Sequence, residues 1–375
     1  MKIAVYGAGK VAERFCRRCE NAGESMDIVY FVQTEKTMDH FQGKKVIAAQ
    51  EIDYSQFDNL IIASDKYFDE ILSFLKKLDK GFELYKDKIM RYSDLYLRRW
   101  ENARTVMPYI SCKVCKDIVY ITTSEDRAIA MPMIKTGYNF SENLIKAFFS
   151  MTAQYYGTKG VAKGFNGYFL DIGANIGTTS IYVKKKINHN LHIIGFEPGK
   201  SNYDLFRVNC ILNQTEDIKA EPFGLSNTNT TKKYWYNVTN SGGSSLTGDE
   251  SEGENISTVN VMKLDDYLNG NKISPYDIEY IWMDAEGHES YILEGAMETL
   301  TAKKIPLLQE SSPISYYKQG RLEKYCNSIA QIYDGFIDVH EYINGQINPM
   351  PIAQIHDFAM RMIKENKIAT DLFFY

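Results

Sequence analysis

Ionisable side chains are concentrated directly after one apolar segment in the C-terminal half of the sequence. The run IEYIWM is typical of a buried strand, and Asp284, Glu286, His288 and Glu289 follow it. Polar groups at the end of a buried strand cost free energy unless they are paired or used. Carboxylates, and a histidine that titrates near neutrality, can take a proton from a hydroxyl group. We therefore predict Asp284, Glu286 and His288 as catalytic residues, with His288 as a candidate base.

Three other interpretations of this segment stay open. Glu289 or Glu286 could cap the helix predicted over SYILEGAMETL, because a helix N-terminus favours negative charge. His288 could be a buried structural histidine. Asp284, Glu286 and His288 could also bind Mg²⁺, which prefers oxygen ligands. Because no second carboxylate cluster stands at ligand spacing in the sequence, we predict no metal site.

An earlier glycine-rich turn, FLDIGANIG, joins a predicted strand to a helix and holds Asp171, Gly173, Asn175 and Gly177. Its glycines would let a ligand approach backbone amides at the helix N-terminus. Glu197 ends the next strand, IIGFEP, at a spacing suited to both hydroxyls of a ribose. Asp171 stands one residue earlier than a dinucleotide fingerprint requires, where it could pair with the ammonium of an amino-acid-bearing cofactor. The pattern therefore favours S-adenosylmethionine over NAD, with all five residues as cofactor contacts.

Position at the ends of other strands supplies further candidates. Pro198 lies beside Glu197 and could pack on adenine. The third strand ends in FGLS, so we also expect these residues to grip the adenine ring: Phe223, Gly224, Leu225 and Ser226. Ser245, in the segment GGSSL, and Glu310, at the end of IPLLQES, are candidate substrate contacts. The GGSSL segment could equally be a cofactor loop or a flexible hairpin.

A separate glycine turn, GAGKVA, begins at Gly7, directly after the first strand of the chain. It could bind a nucleotide or a nucleotide-sugar, or its small residues could serve packing alone. A dinucleotide site also needs an acidic residue at the end of the second strand, and here the first acid, Glu35, comes late. An NAD-dependent oxidoreductase therefore stays an alternative function, and a docking scaffold is another role for this block.

Two cysteine pairs, Cys16/Cys19 and Cys112/Cys115, have spacing that zinc sites use. The first pair falls in a predicted helix, and the two pairs are far apart in the sequence, unlike those of a compact zinc ribbon. We therefore expect all four cysteines to serve packing.

Alternating strands, glycine turns and helices predict an α/β protein with two parallel-sheet domains. We assign residues 1–95 to a Rossmann-like domain, with strands over 2–6, 27–32 and 59–63 and helices over 10–21 and 68–78. Residues 166–375 form the second domain, with strands in GYFLDI, LHIIGF, IKAEPFGLS, IEYIWM, IPLLQES and ATDLFFY. Residues 96–165 are expected to be a linker and a helical entry layer that covers the mouth of the second domain's active site.

From about Gly167 onward the sequence resembles the FkbM family of S-adenosylmethionine-dependent methyltransferases. The matching pieces follow the family's order: FLDIGANIGTTS, GFEP, LFRVNCILN, FGLSN, GGSSL, VMKLDDYL, YIWMDAEGHESYILEGA and PLLQES. The resemblance implies a class I methyltransferase fold with a seven-stranded sheet. It also implies methyl transfer to a hydroxyl group, often of a sugar, and gives Glu286 a counterpart in the family pattern. The N-terminal block resembles, more weakly, the Rossmann-like nucleotide-sugar-binding domain of some sugar-modifying enzymes.

Composition narrows the classes of protein that fit. Of the 375 residues, 44% are hydrophobic and 24% charged, as in a globular protein with a substantial core. The formal net charge of −5 gives no reason to expect nucleic acid. No apolar run reaches the length of a membrane span, and the start MKIAVYGAGK lacks the features of a signal peptide. These features predict a cytoplasmic protein, and the resemblance to the FkbM family implies an O-methyltransferase of carbohydrate biosynthesis that acts on a sugar or glycan, with a homo-oligomer among its possible states.

Overall fold

The computed structural model describes residues 2–21, 26–64, 66–78, 82–94, 109–157, 167–237, 239–247 and 256–375. The chain forms two compact units, Met1–Asn139 and Phe140–Tyr375. The boundary between them lies inside the predicted segment 96–165, so the described part of that segment is divided between the units. None of the helices in the described ranges combines the length and the apolarity that a membrane span needs.

The N-terminal unit contains a six-stranded sheet in the order β3-β4-β2-β1-β5-β6, parallel except for the β3/β4 pair. Its strands are β1 Lys2–Tyr6, β2 Asp27–Gln33, β3 His40–Phe41, β4 Lys44–Ala48, β5 Asn59–Ile62 and β6 Ile89–Arg91, and its helices are α1 Lys10–Asn21, α2 Phe68–Leu78 and α3 Phe82–Tyr85. Alternate residues of β1 enter two separate cores. Ile3 and Val5 pack with Phe15 of α1, whereas Ala4 and Tyr6 belong to the core that holds Leu75 of α2.

A β-hairpin and a short helix complete this unit: β7 Tyr109–Val114, β8 Ile118–Thr123 and α4 Ala130–Thr136. The hairpin turns through Cys115 and Lys116, both with positive φ. Their backbone N–H groups donate to Gly137 and Asn21, at the ends of α4 and α1. Cys19 packs in the core beside α1, and Cys112 is buried in β7. No group of three or more candidate metal ligands in the described ranges includes a cysteine.

The C-terminal unit is built on an eight-stranded sheet in the order β11-β10-β9-β15-β16-β19-β17-β18. Its strands are β9 Tyr168–Ile172, β10 His192–Phe196, β11 Lys219–Glu221, β15 Ile278–Met283, β16 Leu307–Ser311, β17 Gly335–Asp338, β18 Met350–Pro351 and β19 Thr370–Phe374. Six strands run in the same direction, namely β9, β10, β11, β15, β16 and β17, and β19 runs antiparallel between β16 and β17. Without the two-residue edge strand β18, this is the strand order of class I methyltransferases, whose seven-stranded sheet the resemblance implied.

Three strands form an accessory sheet in the order β12-β14-β13: β12 Gly224–Leu225, β13 Thr230–Trp235 and β14 Ile256–Met262. The predicted third strand, IKAEPFGLS, is therefore two strands, β11 and β12, in different sheets. The strand β17 was missed by the sequence analysis. The helices of the unit are α5 Glu142–Tyr156, α6 Thr178–Tyr182, α7 Lys200–Leu212, α8 Leu264–Asn271, α9 Glu289–Glu294, α10 Met297–Ala302, α11 Pro313–Lys318, α12 Leu322–Ala330, α13 Val339–Ile343 and α14 Ile355–Lys364.

Both faces of the large sheet are covered, which explains why its central strands are apolar at nearly every position. Phe148 of α5 contacts the rings of Tyr280, Trp282 and Phe373 on one face. The other face carries the largest core of the unit, which includes Ile281 and side chains of α8, α9, α12 and α14. The described part of the predicted entry layer in this unit, α5, thus lies against the face of the sheet.

Glycine is required where β10 passes under α7. A Cβ atom at Gly195 would lie 2.5 Å from the ring of Phe206, and one at Gly177 would lie 2.2 Å from the same ring. Phe206 is fully buried, so it has little room to move. These two glycines therefore let a large aromatic side chain fill the space between the glycine turn and the second strand.

We expect Gly195→Ala to lower the free energy of unfolding by about 1–3 kcal/mol, because it overpacks a filled core. The matched control is Gly270→Ala in α8, where a Cβ atom meets nothing within 4 Å. That change should be neutral or stabilise the protein by up to about 1 kcal/mol, because alanine favours a helix. Urea unfolding of both variants checks the difference, and equal effects would contradict the packing argument.

Candidate active site

The glycine turn after β9 lies directly against the loop after β15. Gly173 has φ +84°, and a Cβ atom there would lie 1.8 Å from the backbone oxygen of Asp284. Backbone hydrogen bonds fix the approach: the N–H of Asp284 donates to Ile172 (2.9 Å), and the N–H groups of Gly173 and Ala174 donate to Phe196 (3.0 Å each). At Gly173 the turn thus presents bare backbone at the carboxyl edge of the sheet. A cofactor that approaches the backbone requires such a position.

Glu197 lies at the end of β10 beside this turn. Its Oε2 accepts the N–H of Asn175 (2.9 Å), and its Oε1 accepts the N–H of Gly199 (2.7 Å) and the hydroxyl of Tyr234 (3.3 Å). The carboxyl group is buried, and desolvation raises its pKa to about 7 although these hydrogen bonds oppose the rise. A carboxylate held in this way is oriented before any ligand arrives.

Asp171 lies in β9 directly before the glycine turn and is bound to the following helix. Its Oδ2 accepts both the N–H (3.0 Å) and the hydroxyl (2.5 Å) of Ser180 in α6. The residue is 1% exposed, and burial raises its pKa to about 6. The carboxylate thus ties β9 to α6, because that helix begins close to the end of the strand. Asp171 thus has a role in shaping the turn, and its predicted pairing with an ammonium group stays a prediction.

Three carboxyl groups meet next to the turn: Asp284, Glu286 and Glu310, whose candidate ligand atoms all lie within 4.8 Å of one another. Strand order explains the meeting, because β15 and β16 are neighbours and Asp284 and Glu310 lie at their carboxyl ends. Asp371 adds a fourth carboxylate, since it stands opposite Glu310 in the β16/β19 register. His340 pairs with Asp371 at 2.9 Å. We refer to Asp284, Glu286 and Glu310 as the acidic cluster.

Burial and mutual repulsion raise the pKa of every member of the acidic cluster. The pKa of Glu286 rises to about 7 and that of Glu310 to about 11, chiefly through desolvation and then through neighbouring carboxylates. The pKa of Asp284 lies well above its usual range for the same reasons. The Oε2 atom of Glu310 is buried without a hydrogen-bond partner. The raised pKa values favour the protonated forms of these groups, and an ionised member of the cluster is a stronger base than an exposed carboxylate.

The acidic cluster is also the one group of three or more candidate metal ligands in the described ranges. It differs from the predicted set, since Glu310 stands where His288 was expected. Carboxylates at this spacing suit a hard divalent cation, but acidic groups often adopt such spacing without one. The absence of a metal from the site stays a prediction.

The loop that carries Glu286 is fixed by a second carboxylate. Glu286 and Gly287 both have positive φ, +50° and +87°. Glu289, fully buried, accepts the N–H groups of Ala285 (2.9 Å) and Gly287 (3.2 Å), and its other oxygen accepts the hydroxyl of Tyr316 (2.9 Å). Glu289 is thus structural, as the capping alternative suggested, although it caps the loop before α9 rather than the helix itself.

Ser245, which pairs with Trp235 at the end of β13, supports the same loop. Its hydroxyl donates to the backbone oxygen of Glu286 (2.8 Å), and the hydroxyl of Thr247 donates to the same oxygen (3.1 Å). Ser245 also exchanges two backbone hydrogen bonds with Trp235, 2.9 and 3.0 Å long. Ser245 therefore positions Glu286, and its predicted contact with a substrate stays a prediction.

His288 lies apart from the acidic cluster. Its Nε2 is 3.0 Å from the hydroxyl of Ser226, and its ring stacks on Tyr291 at 4.6 Å. The side chain is 1% exposed, and desolvation, with Lys232 and Arg321 nearby, lowers its pKa to about 3. Burial and the contact with Ser226 support the alternative of a buried structural histidine over the predicted base. The left-handed turn at Glu286 and Gly287, which precedes His288, separates it from the acidic cluster.

The residues predicted to grip adenine separate into two groups. Pro198 and Phe223 are partly exposed, and the Cβ position of Gly224 lies 3.4 Å from Pro198. Leu225 belongs to the main core, and Ser226 is fully buried against His288. Pro198 and Phe223 are therefore exposed enough to contact adenine, whereas Leu225 and Ser226 face the interior.

Sequence reasoning missed Tyr234, Asp371 and His340. The signal for Asp371 was present, because a lone acid interrupts the apolar closing segment ATDLFFY. No comparable signal marked Tyr234, which reaches Glu197 through the accessory sheet.

The glycine turn of the N-terminal unit has its own geometry. Gly7 has φ +116°, and its N–H donates to Val32 of the neighbouring strand (2.8 Å). A Cβ atom at Gly9 would meet nothing within 4 Å. The hydroxyl of Tyr6 lies 2.7 Å from that of Thr34 at the end of β2. Gly7 thus supplies the positive φ that the turn requires.

Two family models match parts of the chain. Residues 171–345, within the C-terminal unit, match the model described as the methyltransferase FkbM domain. These residues form an FkbM methyltransferase domain. The predicted family, the enzyme class and the cofactor, S-adenosylmethionine, are thereby confirmed. Residues 1–90 match the model described as C2185-like, N-terminal, and the nucleotide-sugar-binding character expected of this block stays a prediction.

Solved structures resemble the FkbM methyltransferase only loosely. Methyltransferase FkbM from Methylobacillus flagellatus KT is 13% identical, with 100% of this chain and 90% of that chain covered and a TM-score of 0.32. Geranyl diphosphate C-methyltransferase from Streptomyces coelicolor A3(2) is 8% identical, with coverage of 76% and 96% and a TM-score of 0.32. An O-methyltransferase from Bacillus cereus is 10% identical, with coverage of 75% and 98% and a TM-score of 0.31. None of the curated proteins compared with the chain matches it. The fold assignment therefore depends on the strand order given above.

We expect Glu289→Gln to destabilise the FkbM domain by about 2–3 kcal/mol, because the amide nitrogen cannot accept the hydrogen bonds that a buried carboxylate receives. The matched control is Glu298→Gln in α10, where the side chain is exposed and the change should stay within about 0.5 kcal/mol. Thermal unfolding followed by circular dichroism measures both, and an unchanged midpoint for Glu289→Gln would contradict the structural role.

Proposed function

We propose that this methyltransferase transfers the methyl group of S-adenosylmethionine to a hydroxyl group of a carbohydrate. The observation that carries the proposal is the acidic cluster of Asp284, Glu286 and Glu310 directly beside the turn at Gly173. An alcohol must lose its proton when it attacks a methyl group, and a carboxylate with a raised pKa is suited to take it.

Several residues fit the cofactor. At Gly173 the turn presents bare backbone, and Glu197, at the end of β10, offers its carboxylate for the two ribose hydroxyls. Pro198 and Phe223 offer apolar surface for the adenine. S-adenosylmethionine supplies an electrophilic methyl group on a sulfonium centre. Side chains of the protein would bind and orient the acceptor and take up its hydroxyl proton.

Glu286 and Glu310 would bind two different hydroxyl groups of the acceptor. The pKa of Glu286, about 7, lies where a general base works best at neutral pH. Its loop is fixed by Glu289, Ser245 and Thr247, so the carboxylate can wait in one orientation for the hydroxyl proton. Glu310, with an unpaired buried oxygen, can receive a second hydroxyl of the same acceptor. An ionised and a protonated carboxyl group side by side can accept from and donate to neighbouring hydroxyls of a polyol, which supports a sugar as the substrate class.

The direct test is a transfer assay with S-adenosylmethionine labelled in its methyl group. The acceptors are neutral sugars, amino sugars, uronic acids and nucleotide-sugars, and mass spectrometry locates the new methyl group. We expect an O-methylated sugar. A product methylated on nitrogen or carbon, or labelling of other acceptor classes alone, would sink the proposal.

With the acceptor found in this way, Glu286→Gln should lower kcat by roughly 100- to 10,000-fold, because the general base is lost. Binding of S-adenosylhomocysteine should change little, since the substitution lies on the acceptor side. Glu298→Gln serves as the control and should keep full activity. A kcat within a factor of a few of the parent enzyme would exclude Glu286 as the base.

Affinity for S-adenosylhomocysteine should depend on pH through Glu197. Ribose hydroxyls donate to the ionised carboxylate, so binding favours that form, and affinity falls as pH falls through the raised pKa of about 7. Between pH 8 and pH 6 the loss should be about tenfold. Calorimetry at several pH values measures the midpoint. In Glu197→Gln the affinity should be low and should lack this transition; an unchanged profile there would assign the pH dependence elsewhere.

A further inference from the structure

The hydroxyl of Tyr234 is the side-chain donor that reaches Oε1 of Glu197 from the accessory sheet, at 3.3 Å. Tyr234 is 3% exposed and lies in β13, where it stands opposite Ser257 in the register with β14. Its ring packs edge to face against Tyr236, with ring centroids 4.9 Å apart. The side chain thus reaches Glu197 from β13, a strand that forms no part of the large sheet.

Gly199 makes room for this contact. A Cβ atom at residue 199 would lie 2.8 Å from Oε1 of Glu197 and 2.9 Å from the hydroxyl of Tyr234. Gly199 also donates its own N–H to the same carboxylate oxygen. The glycine therefore does more than begin α7, because any larger residue would push the tyrosine and the carboxylate apart.

We propose that Tyr234 is a positioning residue for the cofactor: its hydroxyl holds the carboxylate of Glu197 ionised and turned toward the ribose hydroxyls. The inference rests on the proposed ribose contact of Glu197. It assigns to the accessory sheet a part in binding the methyl donor.

The polar groups around Glu197 determine how loss of the Tyr234 hydroxyl would change the pH dependence of cofactor binding. The carboxylate is faced by the amides of Asn175 and Gly199, the side chain of Asn202 and the hydroxyl of Tyr234. Tyr234 is the titratable member of this set, and burial beside Glu197 keeps its own pKa well above the usual value, so it remains a donor. Removing a donor to the ionised form raises the pKa of the carboxyl group. Binding of S-adenosylhomocysteine would then require a higher pH.

The test measures affinity for S-adenosylhomocysteine by calorimetry from pH 5.5 to pH 9 in four full-length variants: Tyr234→Phe, Tyr236→Phe, Glu197→Gln and the double variant Glu197→Gln/Tyr234→Phe. We expect Tyr234→Phe to raise the midpoint of the pH dependence by roughly one pH unit. Affinity should fall about three- to tenfold at pH 7 and recover at pH 9. Tyr236→Phe is the matched control, because its hydroxyl accepts the N–H of Lys200 and should leave the midpoint unchanged.

The outcomes separate this inference from the function on which it depends. An equal loss at every pH in Tyr234→Phe, or an unmoved midpoint, overturns the positioning role and leaves the tyrosine as packing. A normal affinity in Glu197→Gln instead overturns the ribose contact itself. The double variant should bind no worse than Glu197→Gln alone. If Tyr234→Phe does not fold, Gly199→Ala disturbs the same contact with the ring in place, and it should raise the midpoint in the same direction.

Discussion

The close approach of two backbone segments, at Gly173 and Asp284, is the constraint on which the C-terminal unit depends. The Cβ position of Gly173 lies 1.8 Å from the backbone oxygen of Asp284, and the N–H of Asp284 donates to Ile172. This contact exists because β9 and β15 are neighbours at the centre of the sheet. It places the glycine turn, proposed to bind the methyl donor, directly beside the acidic cluster, which holds the proposed base.

Such a site concentrates destabilising features that the surroundings must offset. A non-glycine residue in the left-handed region costs about 1–2 kcal/mol, and Glu286 adopts it. Each hydrogen bond to a buried carboxylate contributes about 1.5–3 kcal/mol, and Glu289 accepts three. Burial of Glu289 opposes these bonds and raises its pKa, but the three hydrogen bonds fix the loop and hold Glu286 in a conformation that its sequence neighbourhood would not favour. One buried acid thereby fixes the position of another.

Local pattern predicted the central strands of both large sheets, but it missed β4, β6, β13, β14 and β17, and it could not predict which side chains meet. The runs over β9, β10, β15 and β16 were clear because strands covered on both faces are apolar throughout. Glu310 and Asp371 meet only through the β16/β19 pairing, which joins residues far apart in the chain. His288 misled for a different reason. It lies two residues after Glu286, yet the left-handed turn through Gly287 directs it to Ser226, and the sequence alone does not reveal that reversal.

The accessory sheet connects the two halves of the site. Tyr234 of β13 contacts Glu197 on the cofactor side, and the next residue, Trp235, pairs through its backbone with Ser245. Ser245 in turn holds the backbone oxygen of Glu286 on the acceptor side. One short stretch of strand pairing thus supports both the carboxylate proposed for the ribose and the carboxylate proposed as the base. Because the two contacts share this support, a displacement of β13 would alter both carboxylates together, and the accessory sheet is as much a part of the active site as the strands that end in it.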